Sequence, residues 1–314
     1  MKSHRINPRT AVAIDAQIEK VLRGLGNPDP PLRIEHVREL LRLDRRFYST
    51  RDTSALRETV SRIRVGFRQI IERPMLLVEA VVKAELKALY LPDQKRILMD
   101  ASLPLLKHRW VEAHEITHSL LDWHHEMMLG DTAQELTPGC HEHLEGEANY
   151  GAGRLIFLRD RFAAEALDLP LTLDSITKLK RDFQNTISST LWRFVETVGI
   201  QLPVVGLMTP HPHPARRPAN FDPIHPCRHF IQSPAFEARF SQVTETSVFD
   251  AIAAYCGSQS GGPLGAANVI LCDDNGNDHV FGFETFFLRH KPPSPGEALT
   301  LGVYRGPRRL MVAA

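Results

Sequence analysis

Between Pro203 and Pro226 the chain places seven prolines in 24 residues, including Pro210-His211-Pro212-His213-Pro214. Each proline fixes φ and lacks the backbone N–H that a helix or a sheet ladder needs. So dense a run is expected neither to continue a helix nor to sit in a central strand, and reads as a linker or irregular cover. It divides the 314 residues into an N-terminal helical region (1–74), a core (75–202), the linker (203–226) and a C-terminal α+β module (227–314). At roughly 100–200 residues per domain, the length allows two domains or one elaborated one.

The hydrophobic spacing fills in the parts. Val12, Ile18, Val21, Leu22 and Leu25 predict one amphipathic helix, and Ile34, Val37, Leu40 and Leu41 a second. Asp52 or Thr53 would cap a third, with the stripe Leu56, Val60, Ile63, Phe67, Ile70 ending at Pro74. Leu86–Leu91 and Arg96–Met99, separated by Pro92-Asp93-Gln94-Lys95, predict a β-hairpin. Pro104 to Glu126, His143 to Leu158 and Leu173 to Val198 read as helical, with a loop over Asp131–Cys140. Phe236–Tyr255 looks helical, and Asn268–Cys272, His279–Phe287 and Ala298–Tyr304 look like strands, the first two joined by the turn Asp273–Asp278. The expected fold class is α+β, mainly helical around a small sheet, with the C-terminal module appended.

Composition excludes several classes. The 38 Lys plus Arg nearly cancel 37 Asp plus Glu, which gives no electrostatic reason to bind nucleic acid or a membrane. No run approaches the roughly 18 apolar residues of a membrane span, and no apolar stretch follows the basic N-terminus as in a secretory signal. Cys140, Cys227, Cys256 and Cys272 form no Cys-x-x-Cys pair, so reduced thiols and a cytoplasmic location are expected.

The chemistry concentrates in His114-Glu115-Ile116-Thr117-His118, a His-Glu-x-x-His inside a predicted helix. Residues four apart share a helix face at roughly 5–6 Å between Cβ atoms, so both imidazoles can reach one Zn²⁺. Glu115 points elsewhere around the helix, placed to take a proton from a water on the metal. A solvated helix with two surface histidines is the plain alternative. A catalytic zinc needs a third protein ligand. On the helix expected from His143, Glu145, Ala148, Asn149 and Ala152 share one face. A carboxylate among small residues can approach a second helix closely, and Asn149 can hydrogen-bond a ligating imidazole. Glu147 points nearly the opposite way and is expected to be a solvated charge.

Together these motifs resemble the gluzincin arrangement, and more narrowly the ImmA/IrrE family of metallo-endopeptidases, whose known members cleave transcriptional repressors. The likeness lies in the His-Glu-x-x-His helix preceded by a strand (here Arg96–Asp100). It continues in Glu145-Gly146-Glu147-Ala148-Asn149, whose first Glu lies 27 residues after His118, and covers roughly Glu85 to Val198. Two departures are evident: Asp122 stands where the family often has a histidine, and Phe157-Leu158 replaces a terminal Met-Pro. The resemblance implies a zincin-like core over 75–202, His114, His118 and Glu145 as zinc ligands, Glu115 as general base, and a protein substrate such as a repressor. The alternative is a non-catalytic regulatory protein that binds DNA or protein and uses zinc as a structural pin.

Other signals are weaker. Ile176–Phe183 with Ile187–Arg193 has helix-turn-helix spacing, but its second helix opens with one Arg and no Lys. Core packing by Phe183, Leu191 and Phe194 explains it, and direct nucleic-acid binding is not expected. His225-Pro226-Cys227-Arg228-His229 lacks the separated pairs of a tight metal site. Tyr150, Tyr255 and the loop histidines are candidates for stabilising an oxyanion, and the sequence does not choose among them.

Overall fold

The computed structural model describes residues 6–48, 88–91, 95–124, 138–289 and 296–308. The expected third helix over Leu56–Ile70, Pro74, most of the hairpin turn after Leu91 and residues 131–137 of the expected loop lie outside these residues, while the last three residues of that loop, Pro138-Gly139-Cys140, open a helix instead. The fold is α+β. The chain divides into two compact units, one comprising Lys2–Arg161 with Phe183–Asn185, the other Phe162–Asp182 with Thr186–Ala314. Among the described residues no helix is long and apolar enough to cross a membrane.

The first unit opens with α1 (Pro8–Gly24), which starts where Asn7 accepts the Arg9 N–H and Pro8 takes the first helical position. Ile14, Ile18, Val21 and Leu22 form its buried stripe. Helix α2 (Ile34–Leu41) follows, then β1 (Asp44–Tyr48), β2 (Ala88–Leu91) and β3 (Arg96–Asp100). The sheet order is β1-β3-β2, with β3 antiparallel to β2 as the hairpin pattern predicts and parallel to β1. Strand β1 was not anticipated: three of its five residues are charged, and only its last residue, Tyr48, is buried.

Helices α3 (Leu105–Leu120) and α4 (Pro138–Ile156) pack on each other and carry the motif residues. Their approach is close because α4 presents small residues: Ala148 and Ala152 are fully buried, and a Cβ on Gly151 would overlap Thr117 Cγ2 and lie 3.1 Å from Ile14 Cγ2. Helix α3 is anchored on other sides as well. Glu112, buried on α3, is paired with Arg38 of α2 and Arg45 of β1, the latter at 2.9 Å. Arg109 donates to the carbonyls of Phe183 (2.7 Å) and Gln184 (3.0 Å). Helix α1 lies against α4, where Asp15 accepts from Arg154 and Tyr150.

The second unit contains α6 (Leu173–Phe183, except its last residue), α7 (Ile187–Val198) and a five-stranded sheet, while α5 (Asp160–Leu167) straddles the division. The sheet has the order β5-β4-β8-β7-β6, built from β4 (Val204–Thr209), β5 (His229–Gln232), β6 (Gly262–Cys272), β7 (Asp278–Leu288) and β8 (Glu297–Pro307), all neighbours antiparallel. Two helices, α8 (Pro234–Glu237) and α9 (Glu245–Tyr255), stand where one was expected. The larger correction concerns the linker. Residues just after its start form β4, every one of them buried and paired with β8, with Val205–Met208 also paired with β5. Pro203 and Pro210 sit just outside the two ends of this strand, so no missing N–H falls within the ladder. Gly206 leaves the space into which Leu191 and Val195 of α7 pack. The division of the chain therefore falls near 161/162, and α7 belongs with the sheet that the sequence assigned to a separate module.

The helix contact at Gly151 is directly testable. Gly→Ala inside a helix ordinarily gains about 1 kcal/mol, whereas overpacking typically costs about 1–3 kcal/mol. Gly151→Ala is expected to destabilise the chain in urea unfolding, because Thr117 blocks the added methyl. Gly153→Ala, whose nearest neighbour would be Trp110 Cη2 at 3.8 Å, is expected to stabilise it. Stabilisation by both substitutions would show that α3 and α4 are not held at this contact.

Candidate metal centre

Helix α3 projects His114 and His118 from one face, four residues apart, and α4 brings Glu145 to them. The His114 Nε2 and His118 Nε2 atoms are 3.2 Å apart. Glu145 Oε2 lies 3.2 Å from His114 Nε2, and its Oε1 lies 3.6 Å from His118 Nε2. A tetrahedral ion with ligand bonds of about 2.0–2.1 Å sets its ligand atoms about 3.3 Å apart. The three donors match that spacing, and they are the one group of His, Cys, Asp or Glu among the described residues arranged to hold a metal ion. The histidine side chains are only 14% and 6% exposed, whereas that of Glu145 is 41% exposed, so the cluster opens to solvent on the Glu145 side.

Two imidazole lone pairs and a carboxylate at this spacing demand a cation or a proton. Burial pulls the His114 pKa down, but the Glu145 hydrogen bond and the charges of Glu115 and Glu145 outweigh it, and the net shift is upward. For Glu145, burial acts upward and the two histidines act downward more strongly, holding it well below the usual carboxylate range. Asn149 sits one turn beyond Glu145, with its Oδ1 3.1 Å from His114 Nδ1. An Nδ1–H donated to that oxygen leaves Nε2 bare and turned to the cluster.

Glu115 is buried and does not join the three donors. Burial raises its pKa to about 7; the Glu145 charge adds to the rise, and His114 and a hydrogen bond from the Tyr90 backbone on β2 oppose it. Its carboxyl also contributes to raising the Tyr48 pKa, though burial of that phenol is the larger cause.

Glu147 differs from its expected role as a solvated charge. Its Oε2 accepts from Trp123 Nε1 at 2.8 Å and lies 2.9 Å from His124 Nε2. His124, fully buried, places its Nδ1 2.8 Å from His118 Nδ1. These residues follow α3, whose C-cap Leu121 is extended (φ −106°, ψ 102°) and turns the chain back toward α4. No periodicity in the sequence signals that return, although an unassigned histidine six residues after His118 was there to be noticed.

The oxyanion candidates have partners: the Tyr150 hydroxyl donates to Asp15 Oδ2 (3.2 Å), and that of Tyr255 is 2.7 Å from Thr285 Oγ1 in the other unit. Phe183, Leu191 and Phe194 are fully buried.

No family model matches the chain, and no curated protein matches it. Among solved structures, a Mycobacterium tuberculosis transcriptional regulator is similar over 96% of this chain and 77% of that chain, with a TM-score of 0.50 and 15% identity. At that identity the likeness is one of fold.

The donor set predicts its own loss. After equilibration with zinc and gel filtration, the intact chain is expected to retain one ion, and His114→Ala, His118→Ala and Glu145→Ala to retain little, because two remaining ligands hold an ion poorly. Elemental analysis reads this directly. Full retention by Glu145→Ala would remove the carboxylate from the ligand set.

Proposed function

We propose that the chain is a zinc-dependent endopeptidase of the ImmA/IrrE kind with a zincin-like core, in which His114, His118 and Glu145 hold the metal and Glu115 is the general base. The observation that carries this reading is the buried Glu115 carboxyl beside a three-donor cluster that is open on one side. Desolvating a carboxylate is costly, and a purely structural ion gains nothing from one placed next to it. Structural zinc sites also tend to close their coordination with four protein ligands, whereas catalytic ones leave a position free.

Bound there, zinc would polarise the scissile carbonyl and acidify the attacking water. Glu115, with a pKa raised to about 7 chiefly by burial, is matched to exchanging a proton near neutral pH. It takes the proton of the attacking water and returns it to the departing amine. The Tyr90 backbone hydrogen bond fixes the carboxyl while it does so. Asn149 keeps His114 turned so that Nε2 faces the site. The substrate is a protein, and the motif resemblance points to a transcriptional repressor. Four cysteines without a Cys-x-x-Cys pair fit a reducing, cytoplasmic setting.

A second reading, a regulatory protein that uses the metal only as a pin, takes its support from the fold neighbour described as a transcriptional regulator. Glu115 separates the two. Glu115→Gln keeps shape and can still accept from the Tyr90 backbone, but it cannot take a proton. Zinc content and melting temperature are expected to stay near those of the unchanged chain, while cleavage of the substrate slows roughly 10²–10⁴-fold. The variant then serves as a trap that binds the substrate and leaves it uncut. Cleavage at the unchanged rate by zinc-loaded Glu115→Gln would remove Glu115 as the general base, whereas failure of the unchanged chain to cut a partner held by the trap would favour the regulatory reading.

A further inference from the structure

His118 faces the cluster with Nε2, and its other ring nitrogen lies 2.8 Å from His124 Nδ1. Two ring nitrogens at that distance share one proton, and the rest of the chain decides which of them owns it. His124 Nε2 is 2.9 Å from Glu147 Oε2. An ionised carboxylate only accepts, so in this pairing the proton is on His124 Nε2. A neutral His124 with a protonated Nε2 has a bare Nδ1, which can only accept. The proton between the two rings therefore belongs to His118 Nδ1, and His118 Nε2 is left as a lone pair aimed at His114 and Glu145.

We propose that His124 and Glu147 are positioning residues for the metal centre, a chain running from carboxylate to imidazole to imidazole that fixes the tautomer and the ring orientation of His118. The proposal rests on the metal-site reading above; it adds His124, which neither motif contains, and gives a role to Glu147, which the sequence alone predicts to be a solvated charge. Three observations support it. His124 is fully buried, so no solvent competes for its nitrogens. Trp123 Nε1 donates to the same Glu147 oxygen at 2.8 Å, which holds the carboxylate in place independently of His124. The His118 arrangement also differs in kind from that of His114, whose Nδ1 meets only the neutral amide oxygen of Asn149 at 3.1 Å. A hydrogen-bond chain that ends in a full negative charge makes the ligating nitrogen a stronger donor to the ion than one that ends in an amide.

The test uses full-length protein: the unchanged chain, His124→Phe, Glu147→Gln and Glu147→Ala, with folding checked by circular dichroism. In competition with a chromophoric chelator, His124→Phe is expected to weaken zinc binding roughly 10–100-fold. Glu147→Ala should weaken it too, and Glu147→Gln less, because an amide oxygen still accepts from His124 Nε2. The loss that remains in the isosteric Gln variant would not arise from a packing defect. The second readout needs no metal. In mildly alkaline buffer, nitrogen–proton correlation spectra of the metal-free protein should show His118, assigned by its absence in His118→Ala, protonated on Nδ1. In His124→Phe the signal should move toward the tautomer mixture of a free imidazole. Protonation of His118 on Nε2 in the unchanged chain overturns the proposal, as does a folded His124→Phe with unaltered affinity and tautomer. If His124→Phe does not fold, the Glu147 pair decides by the same two measurements. Should the unchanged chain bind no zinc, the metalloenzyme reading falls by itself, and the tautomer spectra still decide the hydrogen-bond chain.

Discussion

The site depends on two helices being close enough for a carboxylate on one to reach two imidazoles on the other. Gly151 makes that distance attainable: with no Cβ, α4 lies against Thr117 of α3, and Ala148 and Ala152 complete a flat buried seam. Glu145 sits at the end of this seam on the same helix face, so the spacing that sets the helices together also sets the carboxylate against His114 and His118. Packing and chemistry are here one constraint. A methyl group added at the seam would move ligand atoms whose mutual distances are 3.2–3.6 Å, and metal geometry tolerates little such error.

Helix α3 carries polar residues on almost every side and most are paired, although His108 Nε2 and Arg109 Nε and Nη2 are buried without a hydrogen-bond partner among the described residues. Glu112 is clamped by Arg38 and Arg45, Thr117 donates to the Ala113 carbonyl, Glu115 accepts from the Tyr90 backbone, His114 meets Asn149 and His118 meets His124. A buried polar group without a partner costs about 1–3 kcal/mol, so a helix carrying this many would not be stable on apolar burial alone. Ala113 and Ile116 supply its fully buried apolar contacts. The neighbours α2, β1, β2 and α4 are therefore as much polar partners of α3 as packing partners. Strand β1, which looks unpromising by hydrophobicity, earns its place partly through Arg45.

What the sequence makes legible follows from range. His114 with His118, and Glu145 with Ala148, Asn149 and Ala152, are related by helical spacing, and a helix turns that spacing into a shared face without help from the rest of the chain. Helices α1, α3, α4 and α7 and the β2–β3 hairpin are visible for the same reason. Residues whose meaning depends on where the chain goes next are not visible. Glu147 lies two residues from Glu145, which puts it on the far side of α4; only the turn at Leu121 brings Trp123 and His124 round to it. Strand β1 pairs in parallel with β3 across some fifty residues, from Asp44 opposite Arg96 to Tyr48 opposite Asp100, a partnership that no local pattern encodes. Strand β4 was hidden by composition: proline density averaged over Pro203–Pro226 obscured the apolar run Val204–Met208, although no proline lies between Pro203 and Pro210.

His114 and His118 are backed differently, and the difference bears on how the cluster handles charge. A proton and a metal ion seek the same lone pairs at His114 Nε2 and His118 Nε2, and both are attracted by Glu145. A chain that keeps a proton on His118 Nδ1 reserves Nε2 as a donor, and Glu147 at its far end supplies a second negative charge outside the donor set. In the proposed metalloenzyme, three donors with one carboxylate would leave a divalent ion with a net positive charge, which would favour polarising a carbonyl; a second carboxylate in direct contact would quench it. Placed two imidazoles away, that second carboxylate would support the donor nitrogen of His118 without neutralising such an ion. On the proposed metalloenzyme reading the arrangement would separate two tasks that a single acidic residue could not perform together: holding the metal and keeping it electrophilic.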